Sequence, residues 1–427
     1  MELASLFIYL LEYDTILPGD IMQKIVIIGG GASGLTAAIN AKNNNNEVII
    51  LEQNSACGKK LSITGNGKCN YWNLDQDLSH YHSYNNECLK SIINVDIQKL
   101  SLDFLTNIGI TPRIKNGYYY PSSNQASTVV SSLLIEAKLK NIVIKTNKYV
   151  EKIIKENKKF KIFCQDEIII CDILVASMGT NASINKPYNG YNLLKELGHT
   201  VITPLPSLVG LKSNKNYFKE WSGIRTNATI YHLENNEIIG RETGEIQLTD
   251  YGVSGICIFN LSEKISKGLN KNKKEEILIN FYPEINTSFR DWLESRNNKL
   301  KNRNIMELLE GSLNYKLVKV ILKATNIIES ISWTDIEETK KKELIKNLTN
   351  HKLEITSTNS EQKAQVMSGG IPLTEINCNT MESLICENLY ITGEILDVDG
   401  DCGGYNLGFA WMSGIKAGKS IKEKTND

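Results

Sequence analysis

The stretch that most constrains this chain is a run of β-branched residues, Lys24-Ile25-Val26-Ile27-Ile28, that stops on Gly29-Gly30-Gly31-Ala32-Ser33-Gly34. Leu35, Ala38 and Ile39 follow at helical spacing, so the segment reads as strand, tight turn and helix, half of a dinucleotide-binding βαβ unit. Gly29 makes the turn, Gly31 lets backbone approach a pyrophosphate, and Gly34 lets the helix pack closely on the strand. Phosphates then meet free N–H groups at the helix start, where the macrodipole favours negative charge. Glu47-Val48-Ile49-Ile50-Leu51 supplies the second strand, and Glu52 closes it about 20 residues beyond the glycines. A carboxylate there accepts hydrogen bonds from an adenosine ribose and repels a 2′-phosphate.

At 427 residues the chain is too long for one compact core. Lys plus Arg equals Asp plus Glu at 48 each, so no global charge argument points to nucleic acid or to a membrane surface. Nine cysteines, an odd number without any C-x-x-C pair, predict scattered reduced thiols rather than a disulfide framework or a structural zinc site. No stretch approaches the ~20 apolar residues that span a bilayer. The apolar start, Met1 to Leu11, has Glu2 where a signal peptide carries positive charge, so the expectation is a cytoplasmic protein that does not bind membranes. Residues 1–21 read as an extension ahead of the first strand, and their deletion should leave cofactor binding intact.

Beyond Glu52, the polar glycine-rich segment Cys57 to Asn70 reads as a loop forming a second wall of the cofactor site, with Lys60 and Thr64, Gly65, Gly67 and Asn70 as candidates. Helical patterns cover Asn86 to Leu105 and Ser127 to Lys138, and Gly117 to Pro121 suggests a short strand. Asn141 to Lys145, Val150 to Ile154, Phe160 to Cys164 and Glu167 to Cys171 read as one small antiparallel sheet. Asp172 to Gly179 repeats the strand-to-glycine pattern and re-enters the main sheet. From Thr203 to Pro283 short β-like runs alternate with polar turns, Ser288 to Leu348 is helical, and Lys352 to Pro372 returns to β character. Asn388 to Glu394 is then a strand ending in Gly-Glu, followed by Asp397, Asp399, Asp401 and a helix from Leu407 to Ile421. The alternating aspartates next to glycines suit turn chemistry better than a metal site.

A terminal strand and helix beside an N-terminal Rossmann unit make the cofactor domain discontinuous. FAD needs contacts from distant parts of the chain, and Gly393-Glu394 together with the helix start near Asn406 offers them; FAD is therefore preferred over NAD. Gly29 to Gly34, Gly58 to Asn70, Gly117 to Ala126, Gln365 to Glu375 and Gly393 to Gly414 together resemble the BaiN-like bacterial flavoproteins, a family that includes aminoacetone oxidase-like members. The resemblance implies an α/β fold: a glutathione-reductase-type, Rossmann-like FAD domain (22–196 and 373–427), an inserted β-barrel-like domain (197–285 and 351–372) and a helical insert (286–350). It places Gly29, Gly31, Ala32, Ser33 and Gly34 on the pyrophosphate, Glu52 on the ribose, and Gly393, Glu394, Tyr405, Asn406 and Leu407 at the ribityl and ring end. Ala176-Ser177-Met178-Gly179 stands where the family usually has Ala-Thr-Gly-Gly, so Met178 and Gly179 are cofactor contacts with altered chemistry.

Flavin supplies the redox chemistry, so protein groups need only orient a substrate and manage a proton. Tyr405, Cys69, Cys402 and Tyr251 are the candidates for the proton. A single G-x-G-x-x-G leaves no separate NAD(P)H domain in view, so either NAD(P)H docks briefly in the middle domain or oxygen accepts the electrons. The activities that the resemblance implies are reduction of conjugated steroid double bonds, dihydrouridine formation in ribosomal RNA, and amine oxidation. The partner is thus a small-molecule substrate or ribosomal RNA, with lysine runs at Lys267 to Lys274, Lys299 to Arg303 and Lys340 to Lys342 as the RNA-facing candidates. Oligomeric state is not legible.

Overall fold

The computed structural model describes residues 22–426 apart from 184–186, 216 and 286; the N-terminal extension 1–21 lies outside the described residues. Five parallel strands form the main sheet in the order Leu389–Ile391, Ile173–Ala176, Gln23–Ile28, Asn46–Leu51 and Val143–Lys145. Both faces are covered, so the strands are continuous apolar runs and their inner residues are almost fully buried. The register pairs Ile28 with Leu51 and Ala176, and Ala176 with Ile391, so four strands end together at one edge. In doubly wound sheets ligands bind beyond that carboxyl edge.

The two chain ends meet through helix packing. The helix Ala32–Ala41 lies along the C-terminal helix Tyr405–Lys424, where a Cβ on Gly414 would stand 2.7 Å from the Ser33 carbonyl and one on Gly418 2.7 Å from that of Ala37. Only glycine allows so close an approach. One apolar core runs through residues 25–194 and again through 371–421, whereas a second, within 211–355, belongs to the inserted segment. The inserted segment is built on a seven-stranded antiparallel sheet whose longest members, Arg225–Glu234 and Glu237–Leu248, form a hairpin. Four α-helices between Phe289 and Thr349 pack into its core. The antiparallel pair Ile202–Ser207 and Val366–Gly370 carries the chain out of the cofactor domain and back.

Four expectations are corrected. Val143–Lys145 pairs parallel with Asn46–Leu51 in the main sheet, and only the strands from Val150 to Cys171 form the small antiparallel sheet. Lys59–Gly67, read as a loop, is helical up to a break where Gly65 and Asn66 are left-handed. Ile256–Asn270, read as β-like, is a 15-residue helix that buries Cys257, Ile258, Leu261 and Ile265, a helical spacing that was present in the sequence. Cys88 and Cys378 are joined as a disulfide across 290 positions, with Cα atoms 5.4 Å apart; parity and local spacing carry no information about such a distant pair. No described helix is long and apolar enough to cross a membrane.

Candidate functional site

A cavity of about 870 Å³ lies beyond the carboxyl edge of the main sheet and extends against the inserted segment, a size suited to a cofactor with room for a substrate. Gly29, Gly31, Ala32 and Ser33 line it, as do Glu52, Lys60, Thr64, Gly65, Asn70, Met178, Gly179, Glu394, Asn406 and Leu407. Gly34, Gly67, Gly393 and Tyr405 do not line it. Gly34 sits where a Cβ would strike the Gly29 carbonyl, so it fixes the turn from behind. Gly393, at φ +75°, packs on the Ser33 side chain and donates its N–H to Ser413 Oγ at 3.1 Å. Both position the wall rather than form it.

Two helix N-termini open on this one cavity. Ala32–Ala41 starts from Gly31 and Tyr405–Lys424 from Gly404, and neither first turn is capped by a side chain. Their free N–H groups and positive dipole ends suit two separated anionic sites. A Cβ on Gly31 would meet nothing within 4 Å, which leaves open space at the first turn for a phosphate. Glu52 is buried; its Oε2 accepts from Gly30 N–H at 2.9 Å and its Oε1 from Asn54 N–H at 2.7 Å, which aims the carboxylate along the cavity. Lys60 Nζ reaches Glu394 at 2.7 Å, joining the Lys59–Gly67 helix to the C-terminal part of the wall. A pyrophosphate at one helix start, a ribose at Glu52 and a ring at the other helix start fit an FAD. When bound it supplies two-electron chemistry; the chain orients the substrate, shields it and handles the proton.

The four expected proton-handling residues separate, and Cys69 is buried outside the cavity. Cys402 lines the cavity, its N–H held by Asn260 Oδ1 at 3.0 Å. Burial, with Asp401 adding to it, pushes its thiol up to about 11, so it stays protonated near neutrality. Tyr405 is buried, its ring stacked on His80 at 4.5 Å and edge-on to Tyr81 at 5.6 Å, outside the cavity. Tyr251 faces Gly210 and is likewise outside it.

Sequence reasoning missed other groups. Ile256, Phe259 and Arg225 from the inserted segment, and Tyr118 and Tyr120, also line the cavity. Asp401 lines it too, and its carboxylate bonds His80 Nδ1 at 2.9 Å and His82 Nε2 at 3.1 Å. The signal was the His-x-His spacing at 80–82; His80 ends a 3-10 turn and His82 lies in the short strand that follows, and both imidazoles reach Asp401. The aspartates read as turn residues bind across elements instead: Asp397 accepts from Tyr84 N–H at 3.0 Å and Asp399 from Ser207 Oγ at 2.9 Å.

Residues 23–420 match the family described as the HI0933-like protein Rossmann domain. The chain belongs to the HI0933-like family. It is 35% identical over 377 residues to a 3-dehydro-bile acid delta(4,6)-reductase of Clostridium scindens, covering 88% of this chain and 92% of that protein. It is 25% identical over 361 residues to the ribosomal RNA dihydrouridine synthase of Escherichia coli, covering 83% and 87%. Among solved structures, a 3-ketosteroid-delta4-(5alpha)-dehydrogenase from Rhodococcus jostii aligns over 96% of this chain and 98% of its own at 11% identity and a TM-score of 0.47. This HI0933-like protein is an FAD-dependent oxidoreductase.

Proposed function

We propose that this protein reduces a carbon–carbon double bond conjugated to a carbonyl in a small apolar molecule, with NAD(P)H as a transient reductant of its FAD. The observation that carries the reading is the single cavity. It is lined by the glycine turn from Gly29 to Ser33, Glu52 and the start of the C-terminal helix, and also by Ile256, Phe259, Tyr118 and Tyr120. Aromatic and aliphatic groups of that kind hold a flat apolar body, and a few polar groups orient it. An enone suits the chemistry, since hydride adds to its β-carbon and the carbonyl stabilises the resulting charge until a proton reaches the α-carbon. The same reaction links a bile acid reductase to a dihydrouridine synthase, because the uracil C5=C6 bond is also conjugated to a carbonyl.

The small-molecule arm is favoured by the lysines that were candidates for RNA. In the first run Lys267 pairs with Glu263, Lys273 with Glu234 and Lys274 with Glu276, and in the third Lys341 pairs with Glu338, so part of this charge is met on the protein itself. A reaction that draws on NAD(P)H belongs in the cytoplasm. We place Glu52 on the adenosine ribose and Lys60 and Glu394 along the middle of the cofactor.

The test is anaerobic. The FAD-loaded protein is reduced with NADH or NADPH and mixed separately with a 3-oxo-4,6-diene bile acid, ribosomal RNA fragments and dioxygen. Rapid stoichiometric reoxidation by the bile acid is expected. Flavin that stays reduced with the diene yet reoxidises with RNA or dioxygen would overturn the reading.

A further inference from the structure

His80 and Asp401 form a cluster with a direction. Asp401 lines the cavity, and its backbone N–H donates to the His80 carbonyl at 2.9 Å, while Gly400 and Asn406 exchange two hydrogen bonds that fix the turn from the other side. His80 has a carboxylate on each ring nitrogen, Asp401 at 2.9 Å on Nδ1 and Asp75 at 3.3 Å on Nε2. Asp75 is 66% exposed, the His80 side chain 30% and Asp401 21%. The three groups therefore run from solvent to the cavity wall. Tyr405 stacks on the His80 ring and fixes its plane, and His82 holds the second Asp401 oxygen.

We propose that His80, backed by Asp75, stores the proton consumed when a substrate double bond is reduced, and that Asp401 passes it into the cavity. The inference rests on the reductase reading above. One hydrogen arrives with the electron pair as hydride from the cofactor, itself recharged by a nicotinamide dinucleotide. The other is a proton: the His80 Nδ1–H bond breaks, Asp401 takes the proton and delivers it, and a C–H bond forms at the carbon next to the carbonyl. The neutral imidazole then regains a proton from solvent, to which its ring is open. His80, His82 and Tyr405 are positioning residues; Asp401 is the group at the wall.

The surrounding charges support a stored proton. Burial alone would lower His80, yet its bonds to Asp401 and Asp75 outweigh burial and lift it above its ordinary value. His82 is lifted the same way against burial by Asp401, with Asp399 and Glu263 adding to it. Asp401 is held below its ordinary value because the two imidazoles outweigh its burial. Glu242, on the long hairpin, feels Asp401 and His80, and Asp77 feels His80; Lys264 acts on Glu242 and Lys267 on Glu263. Carboxylates outnumber cations around the imidazoles, which is why both favour the protonated form.

The chain has five histidines, so NMR of histidine-labelled protein follows each one. His80 and His82 should titrate above about 6.5, the ordinary value, and His199, His232 and His351 below it. In Asp401→Asn the His80 and His82 midpoints should both fall; midpoints that do not move would overturn the store. In the second arm, FAD-loaded protein reduced with dithionite is reoxidised by the 3-oxo-4,6-diene bile acid or by dioxygen. His80→Gln should slow the diene reaction roughly 10- to 100-fold, as loss of a proton donor does, with dioxygen reoxidation unchanged and the flavin retained. Asp75→Asn, by lowering His80, should move the alkaline limb of the diene pH profile, where the store loses its proton, to lower pH and slow the step a few-fold near neutrality. Equal slowing of both oxidants by His80→Gln indicates a purely structural role and sinks the proposal. If wild-type protein ignores the diene, the reductase reading fails while the NMR titration still decides the His80–Asp401 coupling.

Discussion

Gly34 and Glu52 stand beside the same glycine turn in different ways, and substitutions separate them. At Gly34 the obstacle to a side chain is the Gly29 carbonyl, which is backbone at the start of the turn and cannot yield. Gly34→Ala should cost about 1–3 kcal/mol, the usual range for overpacking, and should lower FAD content with it; a variant with wild-type melting behaviour and colour would refute that. Glu52→Arg removes the acceptor of the Gly30 N–H and puts a cation where we place the adenosine ribose. We expect a folded, colourless protein on purification, and one that stays fully yellow would show that Glu52 does not hold the ribose. Their places beside the turn were legible because one local pattern specifies strand, turn and helix. The side-chain direction of Tyr405 was not: it sits at the first position of a cavity-facing helix, yet the helix turns its ring toward His80. The pairing of His80 with Asp401 escaped notice because 321 positions separate them.

At the scale of elements, the strands of the main sheet were readable because each is a short apolar run closed by a glycine or a charge. The helix Ile256–Asn270 was lost because its polar face and flanking strands resembled β alternation in a β-rich context, although its buried residues keep helical spacing. This helix packs on the hairpin strand that carries His232, and His232 Nε2 bonds Glu275 Oε2 on the neighbouring strand, both side chains having no exposure. Burial pushes His232 down to about 4 and lifts Glu275 to about 7, which describes a neutral imidazole bonded to a protonated carboxyl. Folded, the pair binds one proton between about pH 4.5 and 6.5; unfolded, the histidine alone binds one there. The pair therefore adds almost no pH dependence in that window. In Glu275→Gln only His232 remains, with its folded value below its unfolded one, so the unfolded chain binds more protons and stability falls as pH drops through about 6.5. Urea midpoints at pH 7.5 and 5.5 should separate further in Glu275→Gln than in wild type; equal separations would disprove the pairing.

For the whole molecule, the cavity depends on segments that no short piece of chain contains. Its lining begins at Ile28 and ends at Ala410, and it draws Arg225 and Phe259 from the inserted segment. The helix pair Ala32–Ala41 and Tyr405–Lys424 ties first strand to last through Gly414 and Gly418, so the cofactor domain is complete only when both chain ends have arrived. The expectation of a discontinuous cofactor domain came from a strand with a glycine end near both termini and a change of composition between them; the apolar core shared by 25–194 and 371–421 is consistent with it. What was not legible is where the inserted segment faces the cavity, since Arg225, Ile256 and Phe259 carry no local pattern that marks a wall. A ligand that bridges all these segments binds the folded chain and not the unfolded one. Its contribution is RT ln(1 + [L]/Kd), about 4 kcal/mol at a thousandfold excess over Kd. Adding FAD to apoprotein should therefore raise the melting temperature by several degrees, in proportion to the logarithm of FAD concentration, and should protect the inserted segment from proteolysis together with the cofactor domain. Protection of the cofactor domain alone would mean that the inserted segment does not close the site, and the single-cavity reading of function would fall with it.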